Sequence, residues 1–596
     1  MKSNRFFTSW TLPIFVTLAS LLYFGGNIGL FNDDYFYDQH DVVTGRVRSY
    51  VLDRPYHVWR PLYRVLVPAL ITSLREHSAI LHTMQIALHC SVAVTVFVFL
   101  RHCRLRVAAS AAAALWFTVY PAHFEAYLWQ SAFPTPLGCL IVLWTAIWQR
   151  KWLQTSTNKL NLLMRTTPLV AAAAAFAVAS LNEQPAGAIA ALPFVALTFK
   201  RTGQRGTLIL SRKALIPTLY SVAALVIYLQ MAKHHMAAPP VQHGIGQAVQ
   251  SSLDNLIALA RQVPMELALQ DFATGALSHG LITLRENQLR TALFVGVGLV
   301  LIITRLIKRT SSGIKLAEEA NLGAENAPFG VFFFGLVWFF AAWVPVIVTH
   351  SLTSPRLHYP PNIGIALMLG AMIEIMLRSS FGSRVFTRAS ASFMGFSYLV
   401  LCCVMLVGVQ DGYRQRFSRD MTEAKQLAAL FATTARPGSV FLPLRVESSV
   451  LETGSRRFDE YFTPCWGASW AAGWHLQQVF KRTDVHIVLC GRKPQQVWSV
   501  AGNLGSGIII RQPIAQPKPD TLLAFAPRKQ CRLVPFERMI PFMIDRAGRV
   551  CVVSSIRVYD ESTELLVQLP QVPQTHSQSK TACHADVGPV LAEDVQ

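Results

Sequence analysis

Charged residues are scarce in this chain: Asp, Glu, Lys and Arg make up 15% of its 596 residues, while 52% are hydrophobic. This composition excludes an ordinary soluble protein and indicates a polytopic α-helical membrane protein. Acidic residues are fewer than basic residues: the chain has 33 Asp and Glu and 54 Lys and Arg. The net charge of +21 does not indicate a nucleic-acid partner, because the basic residues are dispersed between apolar runs, where they signal topology and attract anionic lipid.

The sequence also lacks the cysteine spacing of a zinc or redox site. Its ten cysteines form no CxxC pair, and Cys402–Cys403 lies inside an apolar run. Nor does the first apolar run, Trp10 to Leu30, look like a cleaved signal peptide, since it is long and Phe24–Gly26 is a poor cleavage site. That run is long enough to cross a bilayer as a helix.

About eleven apolar runs in all are predicted to span the membrane. After the first they lie near residues 79–100, 107–120, 134–149, 167–182, 184–199, 214–231, 289–307, 330–349, 359–377 and 391–410. With a cytoplasmic N-terminus, Lys and Arg concentrate in the inner segments, as the positive-inside rule requires of a cytoplasmic (inner) membrane protein. The odd number of spans then places everything after about residue 410 outside that membrane.

Two of the predicted outer loops contain amphipathic segments. Residues 60–74 predict a helix lying in the membrane interface and interrupted by Pro68. Apolar residues at helical spacing from Val249 to Val263 predict a second helix that ends at Pro264, either interfacial or packed on a core or partner. The outer loops of the predicted transmembrane module, residues 1–410, are about 31–78, 120–134, 232–288 and 350–359.

The C-terminal region changes character. Short β-rich runs separated by Gly and Pro predict a soluble α/β domain on the outer face over 411–575, followed by a disordered tail over 576–596. The runs are 439–446, 484–490, 506–510 and 550–558. Its five cysteines would lie in an oxidising compartment, where one or two disulfides form, although the sequence does not fix their connectivity.

Asp33 and Asp34 follow the first predicted span, which delivers them to the outer face. Carboxylates at a membrane surface beside a hydrophobic anchor are well placed to deprotonate a hydroxyl near a lipid-borne substrate. The alternative interpretation is the ordinary polarity of a loop after a helix end. Asp33 and Asp34 are therefore candidate catalytic residues, and the choice between these two interpretations depends on the other residues predicted on the same face.

Four further polar patterns are predicted on the same outer face. Singly, each is also typical of interface anchoring, because Trp, Tyr, His and Arg are common at bilayer edges. Glu183 differs, since a carboxylate between two apolar runs is costly unless it has a partner or a role. The patterns are Trp59–Leu62 with Arg60, Tyr120–Trp129 with His123 and Glu125, Leu181–Pro185 with Glu183, and Ser354–Pro360 with Arg356, His358 and Tyr359.

In order and sidedness these motifs resemble those of the GT-C glycosyltransferases. The nearest likeness is to the protein O-mannosyltransferase branch, and beyond it to the bacterial aminoarabinose transferases. The resemblance covers roughly residues 10–410 and none of the C-terminal region. Tyr120 stands where many relatives have His, Asn182 where many have Lys, His358 where the residue is often less polar, and no tetratricopeptide repeat follows. These departures concern the sugar and the acceptor more than the reaction class.

The resemblance implies an inverting transfer of a sugar from a polyprenyl-phosphate carrier to an acceptor hydroxyl on a protein, lipid A or a glycan. It implies Asp33 and Asp34 as the catalytic acids, with Asp33 as the general base, and Arg356, His358 and Tyr359 as the phosphate-binding residues. Arg60 and Glu183 would position acceptor or donor. His123 and Glu125 would do the same, or with Asp34 would bind a divalent ion. This branch commonly works without a metal, so no cofactor is expected.

Two alternatives remain open at the level of sequence. One is a transporter or flippase of lipid-linked glycans, in which Glu183 and basic residues form a conduit through the membrane. The other is a non-catalytic envelope protein whose C-terminal domain binds a partner. A glycosyltransferase predicts that Asp33, Glu125 and Arg356 converge on one outer cavity open to lipid, whereas a transporter predicts that the polar residues continue through the membrane.

Overall fold

The structure, a computed structural model, divides the chain into two compact units. It describes residues 60–74, 77–154, 162–199, 212–235, 245–269, 275–287, 327–349, 355–378, 385–434, 440–446, 486–487, 508–510, 532–534, 539–544, 548–552, 555–560 and 563–568. The described residues up to Gly412 belong to the first unit, and those from Tyr413 onward belong to the second. The candidate acids Asp33 and Asp34 lie outside the described residues.

The first unit is helical. Its helices are α1 (Pro61–Leu74), α2 (Ser78–His102), α3 (Val107–Val119), α4 (Glu125–Leu128), α5 (Pro134–Gln154), α6 (Leu162–Leu181), α7 (Glu183–Gly187), α8 (Arg212–His235), α9 (Ile245–Leu267), α10 (Gly275–Glu286), α11 (Ala327–Thr349), α12 (Tyr359–Arg378) and α13 (Val385–Thr434), the last of which continues into the second unit. Short 3₁₀ segments lie at Pro121–His123, Gln130–Ala132, Ala188–Thr198 and Pro355–His358.

Within the described part of the chain, five helical stretches are long and apolar enough to cross a membrane: Ser78–His102, Gln130–Leu153, Leu215–Lys233, Pro328–Ile347 and Arg356–Arg378. Large apolar side chains point outward from them, as on α8, where Leu219 and Leu229 are 63% and 62% exposed. Outward-facing leucines are stable in lipid and costly in water. The chain is therefore a helical membrane protein, and the eleven spans stay a prediction.

Glycines let α11 and α12 approach closely. A Cβ atom on Gly335 would lie 2.7 Å from the Gly364 carbonyl oxygen, and one on Gly364 would lie 2.6 Å from the Gly335 carbonyl oxygen. Small residues at such a crossing allow backbone-to-backbone packing inside a membrane. Trp338, on α11, is fully buried and donates its indole N–H to the Pro360 carbonyl oxygen at 2.9 Å, which fixes the start of α12.

Three helix boundaries differ from the sequence prediction. The predicted span 184–199 is instead the five-residue helix α7 followed by the 3₁₀ segment Ala188–Thr198, which contains Pro193. A proline lacks the N–H that a continuous α-helix needs at that position. By contrast, α1 continues through Pro68, and α9 passes Pro264 to end at Leu267.

The second unit includes eight strands. In the largest sheet the order is β2-β1-β5-β6, with β1 parallel to both of its neighbours and β5 antiparallel to β6. Pairs β3-β4 and β7-β8 are antiparallel. The strands are β1 (Val440–Val446), β2 (His486–Ile487), β3 (Ile508–Ile510), β4 (Arg532–Val534), β5 (Met539–Ile544), β6 (Val550–Val552), β7 (Ser555–Asp560) and β8 (Thr563–Gln568).

The helical part of this second unit is tied to its sheet by Gln426. Its side-chain amide donates to the Gly548 carbonyl oxygen at 3.2 Å and accepts from the Val550 backbone N–H at 2.8 Å. Nearly three turns earlier on the same helix, the buried Arg416 forms ion pairs with Asp420 at 2.7 Å and Glu423 at 2.8 Å. A buried guanidinium that is paired twice removes the cost of an isolated charge.

Candidate functional site

Glu125 connects the loop after α3 to the segment before α12. Its carboxylate is fully buried, and Oε2 accepts a hydrogen bond from the Arg356 backbone N–H at 3.1 Å. The Arg356 guanidinium carbon lies 4.8 Å from the centroid of the Trp129 ring. A buried carboxylate and a cation–π contact together fix the main chain and the side chain of Arg356 on this loop.

His123 is held as a neutral ring. It is fully buried, and its Nδ1 lies 3.0 Å from Asn362 Nδ2, which donates the hydrogen bond. Burial lowers the pKa of His123 well below its ordinary value, and the nearby His89 lowers it further. A histidine that stays neutral at physiological pH is suited to hold the loop in place rather than to exchange protons there.

Tyr359 points its hydroxyl into the bundle. The Tyr359 oxygen lies 2.8 Å from His89 Nδ1, and His89 Nε2 lies 3.2 Å from the Thr118 carbonyl oxygen. Because a carbonyl only accepts, Nε2 carries the hydrogen and Nδ1 accepts from the tyrosine. Tyr359 is fully buried and its hydroxyl bonds within the protein, and its role as a phosphate ligand stays a prediction.

His358 contacts α9. Its Nε2 lies 3.1 Å from Gln262 Nε2, which donates, and its ring packs edge-on against Trp343 with centroids 4.9 Å apart. Leu259 of α9 also packs in one buried cluster with Trp343 and Leu357. The amphipathic helix predicted around Val249–Val263 therefore packs one face on the Arg356 segment, while Leu253, Leu256 and Ile257 remain 44–48% exposed.

Arg60 and Glu183 form a two-contact ion pair. Arg60 Nε donates to Glu183 Oε2 at 2.5 Å, and Arg60 Nη2 donates to Oε1 of the same carboxylate. Their side chains are 23% and 20% exposed. Pairing accounts for the carboxylate that the sequence leaves between two apolar runs, since a forked guanidinium neutralises it at the mouth of the bundle.

The first turn of α7 links this ion pair to the Arg356 segment. The Asn182 side chain accepts from the Gln184 backbone N–H at 3.1 Å, and its amide donates to Thr135 Oγ1 at 2.7 Å. An asparagine at this position caps a helix. The Gln184 side-chain amide in turn donates to the Leu357 carbonyl oxygen at 3.2 Å. Three of the four predicted patterns thus meet at residues 356–358, and the fourth is tied to them through Glu183.

Sequence reasoning missed His89 and its neighbours on α2. His82, Gln85 and His89 are fully buried and repeat at helical spacing along one face of an apolar helix. Gln85 donates to the Ala126 carbonyl oxygen at 2.5 Å, so this face supports the loop that carries Glu125. Polar residues at such spacing within an apolar run are the signal that would have identified them.

In the part of the chain that the structure describes, no group of three His, Cys, Asp or Glu side chains could hold a metal ion. Arg356 offers charge-assisted donors that suit an anion, with an aromatic wall beside them. The Arg60–Glu183 pair adds a fixed dipole at the same end of the helices. This arrangement can bind and orient a phosphate or carboxylate group at the edge of the bundle.

Comparisons with models of known protein families and with curated proteins find no match to this chain. The resemblance in short motifs is therefore not accompanied by whole-chain similarity.

Proposed function

We propose that the protein is a membrane glycosyltransferase that moves a sugar from a polyprenyl-phosphate carrier to an acceptor hydroxyl, with inversion, at the outer face of the cytoplasmic membrane. The observation that carries this proposal is the meeting of Glu125, Trp129 and Gln184 on the segment around Arg356. These residues come from loops far apart in sequence. A lipid-linked donor explains why such a site lies at the end of membrane-length helices.

Arg356 is the proposed ligand of the carrier phosphate. Its backbone is held by Glu125 and its side chain by Trp129, so the guanidinium is already oriented before the donor binds. Negative charge grows on the phosphate as the bond from the anomeric carbon to the phosphate oxygen breaks. A preorganised guanidinium stabilises that charge in the transition state more than in the ground state.

Asp33 is the proposed general base, with Asp34 beside it. The base accepts the proton of the acceptor hydroxyl, whose oxygen attacks the anomeric carbon while the polyprenyl phosphate leaves with the bonding electrons. A positioned base of this kind contributes about 10²–10⁴-fold. Attack opposite the phosphate inverts the anomeric centre. Arg356 contributes the second part of catalysis by stabilising the negative charge on the leaving phosphate, and the proposal requires no divalent ion.

The other named residues have positioning roles. Arg60 and Glu183 hold each other and, through Gln184, the chain at Leu357. His123 and Tyr359 bond within the bundle and fix the two loops against each other. The acceptor, whether a protein, lipid A or a glycan, approaches from the outer face. The region after residue 410 would lie on the same side, which follows from the charge distribution in the sequence.

A buried carboxylate at each end of the bundle favours this proposal over a transporter. Glu125 serves the loop at one end, whereas the equally buried Glu374 near the end of α12 pairs with Arg378 at 2.7 Å. A conduit for a charged glycan would need charged side chains between these ends, and α12 carries none between Tyr359 and Glu374.

Arg356 variants test the proposal. Transfer from a synthetic polyprenyl-phosphate sugar is measured in membranes for Arg356→Ala and Arg356→Lys. We expect Arg356→Ala to lose both donor affinity and rate, and Arg356→Lys to recover only part, because an ammonium keeps the charge but not the forked donors. An interface anchor behaves differently, since lysine snorkels as well as arginine. Parent-like transfer by Arg356→Lys would refute the phosphate role.

A further inference from the structure

Arg150, near the C-terminal end of α5, is a buried guanidinium without a carboxylate partner among the residues that the structure describes. It is 4% exposed. Its contacts are an Nε hydrogen bond to Cys103 Sγ at 3.4 Å and a cation–π contact with the Phe199 ring at 4.6 Å. Its Nη1 atom is buried and makes no hydrogen bond within the described structure. A thiol and an aromatic ring do not neutralise a full positive charge.

Several other buried ionic groups among the described residues have partners of opposite charge. Glu374 has Arg378 and Arg106, and Arg416 has Asp420 and Glu423. An uncompensated buried charge is strongly destabilising, so an arginine left in this state weakens the fold. Arg150 therefore needs an anion that none of the described residues supplies.

The surroundings of Arg150 suit an anion. Gln149, the preceding residue, is 2% exposed, and its Nε2 is a second buried donor without a partner in the described structure. The charges of Lys151 and Arg150 both act on the ring of His102, at the end of α2. Two unpaired donors and a surplus of positive charge are the features of a phosphate-binding site.

The position along the helices identifies the source of the phosphate. Arg150 lies sixteen residues after Pro134, the start of α5, and therefore about 24 Å from the loop that carries Glu125 and Trp129. It lies close to the end of the membrane-length stretch Gln130–Leu153. At that depth the phosphate of a phospholipid headgroup is at hand, and basic pockets between helix ends are known to hold such headgroups.

We propose that Arg150 binds the phosphate of an anionic phospholipid, at the end of the bundle opposite to the candidate functional site. The phosphate oxygens accept from Arg150 Nη1, and the acyl chains lie along the lipid-facing surface. This lipid is a structural ligand and not a substrate. The site is independent of the glycosyltransferase function proposed above, because it uses none of the same residues.

The test uses the full-length protein, purified in detergent and stripped of lipid. Its unfolding temperature is measured after adding phosphatidylglycerol, phosphatidylcholine or inorganic phosphate. We expect phosphatidylglycerol to raise the unfolding temperature of the parent more than the zwitterionic lipid does. Stabilisation by inorganic phosphate without any advantage for phosphatidylglycerol would overturn the lipid assignment. An equal response to both lipids, with no response to phosphate, would overturn the site.

Variants locate the effect at Arg150. We expect Arg150→Gln to bind phosphatidylglycerol at least about tenfold more weakly, because it loses charge-assisted donors. The matched control is Lys151→Gln, which removes an exposed charge from the next residue and should keep the parent's affinity. Equal losses in the two variants would show a diffuse electrostatic effect and refute the site.

A third variant covers the case in which Arg150→Gln fails to fold. Arg150→Met removes the buried charge and keeps an apolar stem, so the lipid-free variant should unfold at a higher temperature than the lipid-free parent. Added phosphatidylglycerol should then produce no further specific increase. A Met variant that is less stable than the lipid-free parent would show that the charge is already compensated within the protein, contrary to the proposal.

Discussion

The contact between Glu125 and the Arg356 backbone gives the sharpest prediction about the site. The carboxylate is fully buried and accepts the N–H at 3.1 Å. Glu125→Gln keeps an acceptor oxygen but loses its charge, which weakens the hydrogen bond by about 1 kcal/mol. Glu125→Ala removes the acceptor and leaves a part-buried N–H without this bond, at a cost of about 1–3 kcal/mol.

These energies convert into rates if the Arg356 position is needed in the transition state. At 1.36 kcal/mol per factor of ten, we expect kcat/KM to fall about fivefold for Glu125→Gln and about 5- to 150-fold for Glu125→Ala. The assay is transfer from a synthetic polyprenyl-phosphate sugar in membranes. Each variant's unfolding temperature is measured alongside, so that loss of folded protein is separated from loss of rate.

Glu374 offers a matched control for this experiment. It too is a fully buried carboxylate that accepts a backbone N–H, that of Arg106 at 2.8 Å, but near the opposite end of α12. Glu374→Gln should lower the unfolding temperature and leave kcat/KM of the folded fraction close to that of the parent. The reasoning is refuted if Glu125→Ala transfers at the parent rate, or if Glu374→Gln loses kcat/KM to the same extent.

Three further predictions concern the supporting residues. The pKa of His123 is lower in the folded protein than its ordinary value of about 6.5, so the stability that neutral His123 contributes is present above that pH and is lost as the pH falls below it. His123→Gln should therefore make the unfolding temperature less dependent on pH between 5 and 7.5. An unchanged dependence of the unfolding temperature on pH would contradict this. In a double-mutant cycle of stability, Arg60→Met and Glu183→Gln should show a coupling energy of about 0.5–2 kcal/mol, a range kept low because both side chains are partly exposed to solvent. Additive effects of the two substitutions would mean that the ion pair is not maintained. Tyr359→Phe should lower the unfolding temperature with little change in donor KM, because the hydroxyl bonds to His89; a large rise in KM would instead restore its role as a phosphate ligand.

Hydropathy and turn residues predict much of the helical layout. The runs near 79–100, 107–120 and 359–377 became α2, α3 and α12 with boundaries within a few residues. They succeed because long apolar runs have one stable conformation in a membrane. The run 184–199 fails because composition alone cannot tell a spanning helix from a short helix, here ending at Gly187, that is followed by a 3₁₀ segment.

The C-terminal boundary was harder to place from sequence. The last predicted span ended at residue 410, yet α13 continues to Thr434 without a break. Hydropathy falls after residue 410, but the helix is sustained by contacts within one face, such as Arg416 with Asp420 four residues later. Strands were predicted near 439–446 and 506–510, and β1 and β3 lie in these runs. The division of the chain into two compact units falls at Gly412.

The sequence predicts which residues belong to the candidate site but not which side chains contact each other there. The charged and aromatic motifs identify Glu125, Glu183 and Arg356 because such residues are rare beside apolar helices. Their partners are non-local: nothing in the sequence pairs Glu183 with Arg60, 123 residues away, or Tyr359 with His89, 270 residues away. Those pairings depend on how the helix ends pack, which motif spacing does not encode.

The most direct test of the proposed reaction is to measure the amounts of its lipid donor and of its glycosylated product in cells. Envelope glycans, glycoproteins and polyprenyl-phosphate sugars are compared by mass spectrometry in a strain that lacks the gene, complemented with either the parent or Asp33→Asn. The amide keeps the shape of the side chain and loses its basicity. We expect one sugar modification to disappear from the envelope and its polyprenyl-phosphate donor to accumulate, with rescue by the parent and none by Asp33→Asn. Unchanged glycans and carrier lipids in the deletion strain, or full rescue by Asp33→Asn, would contradict the proposed function.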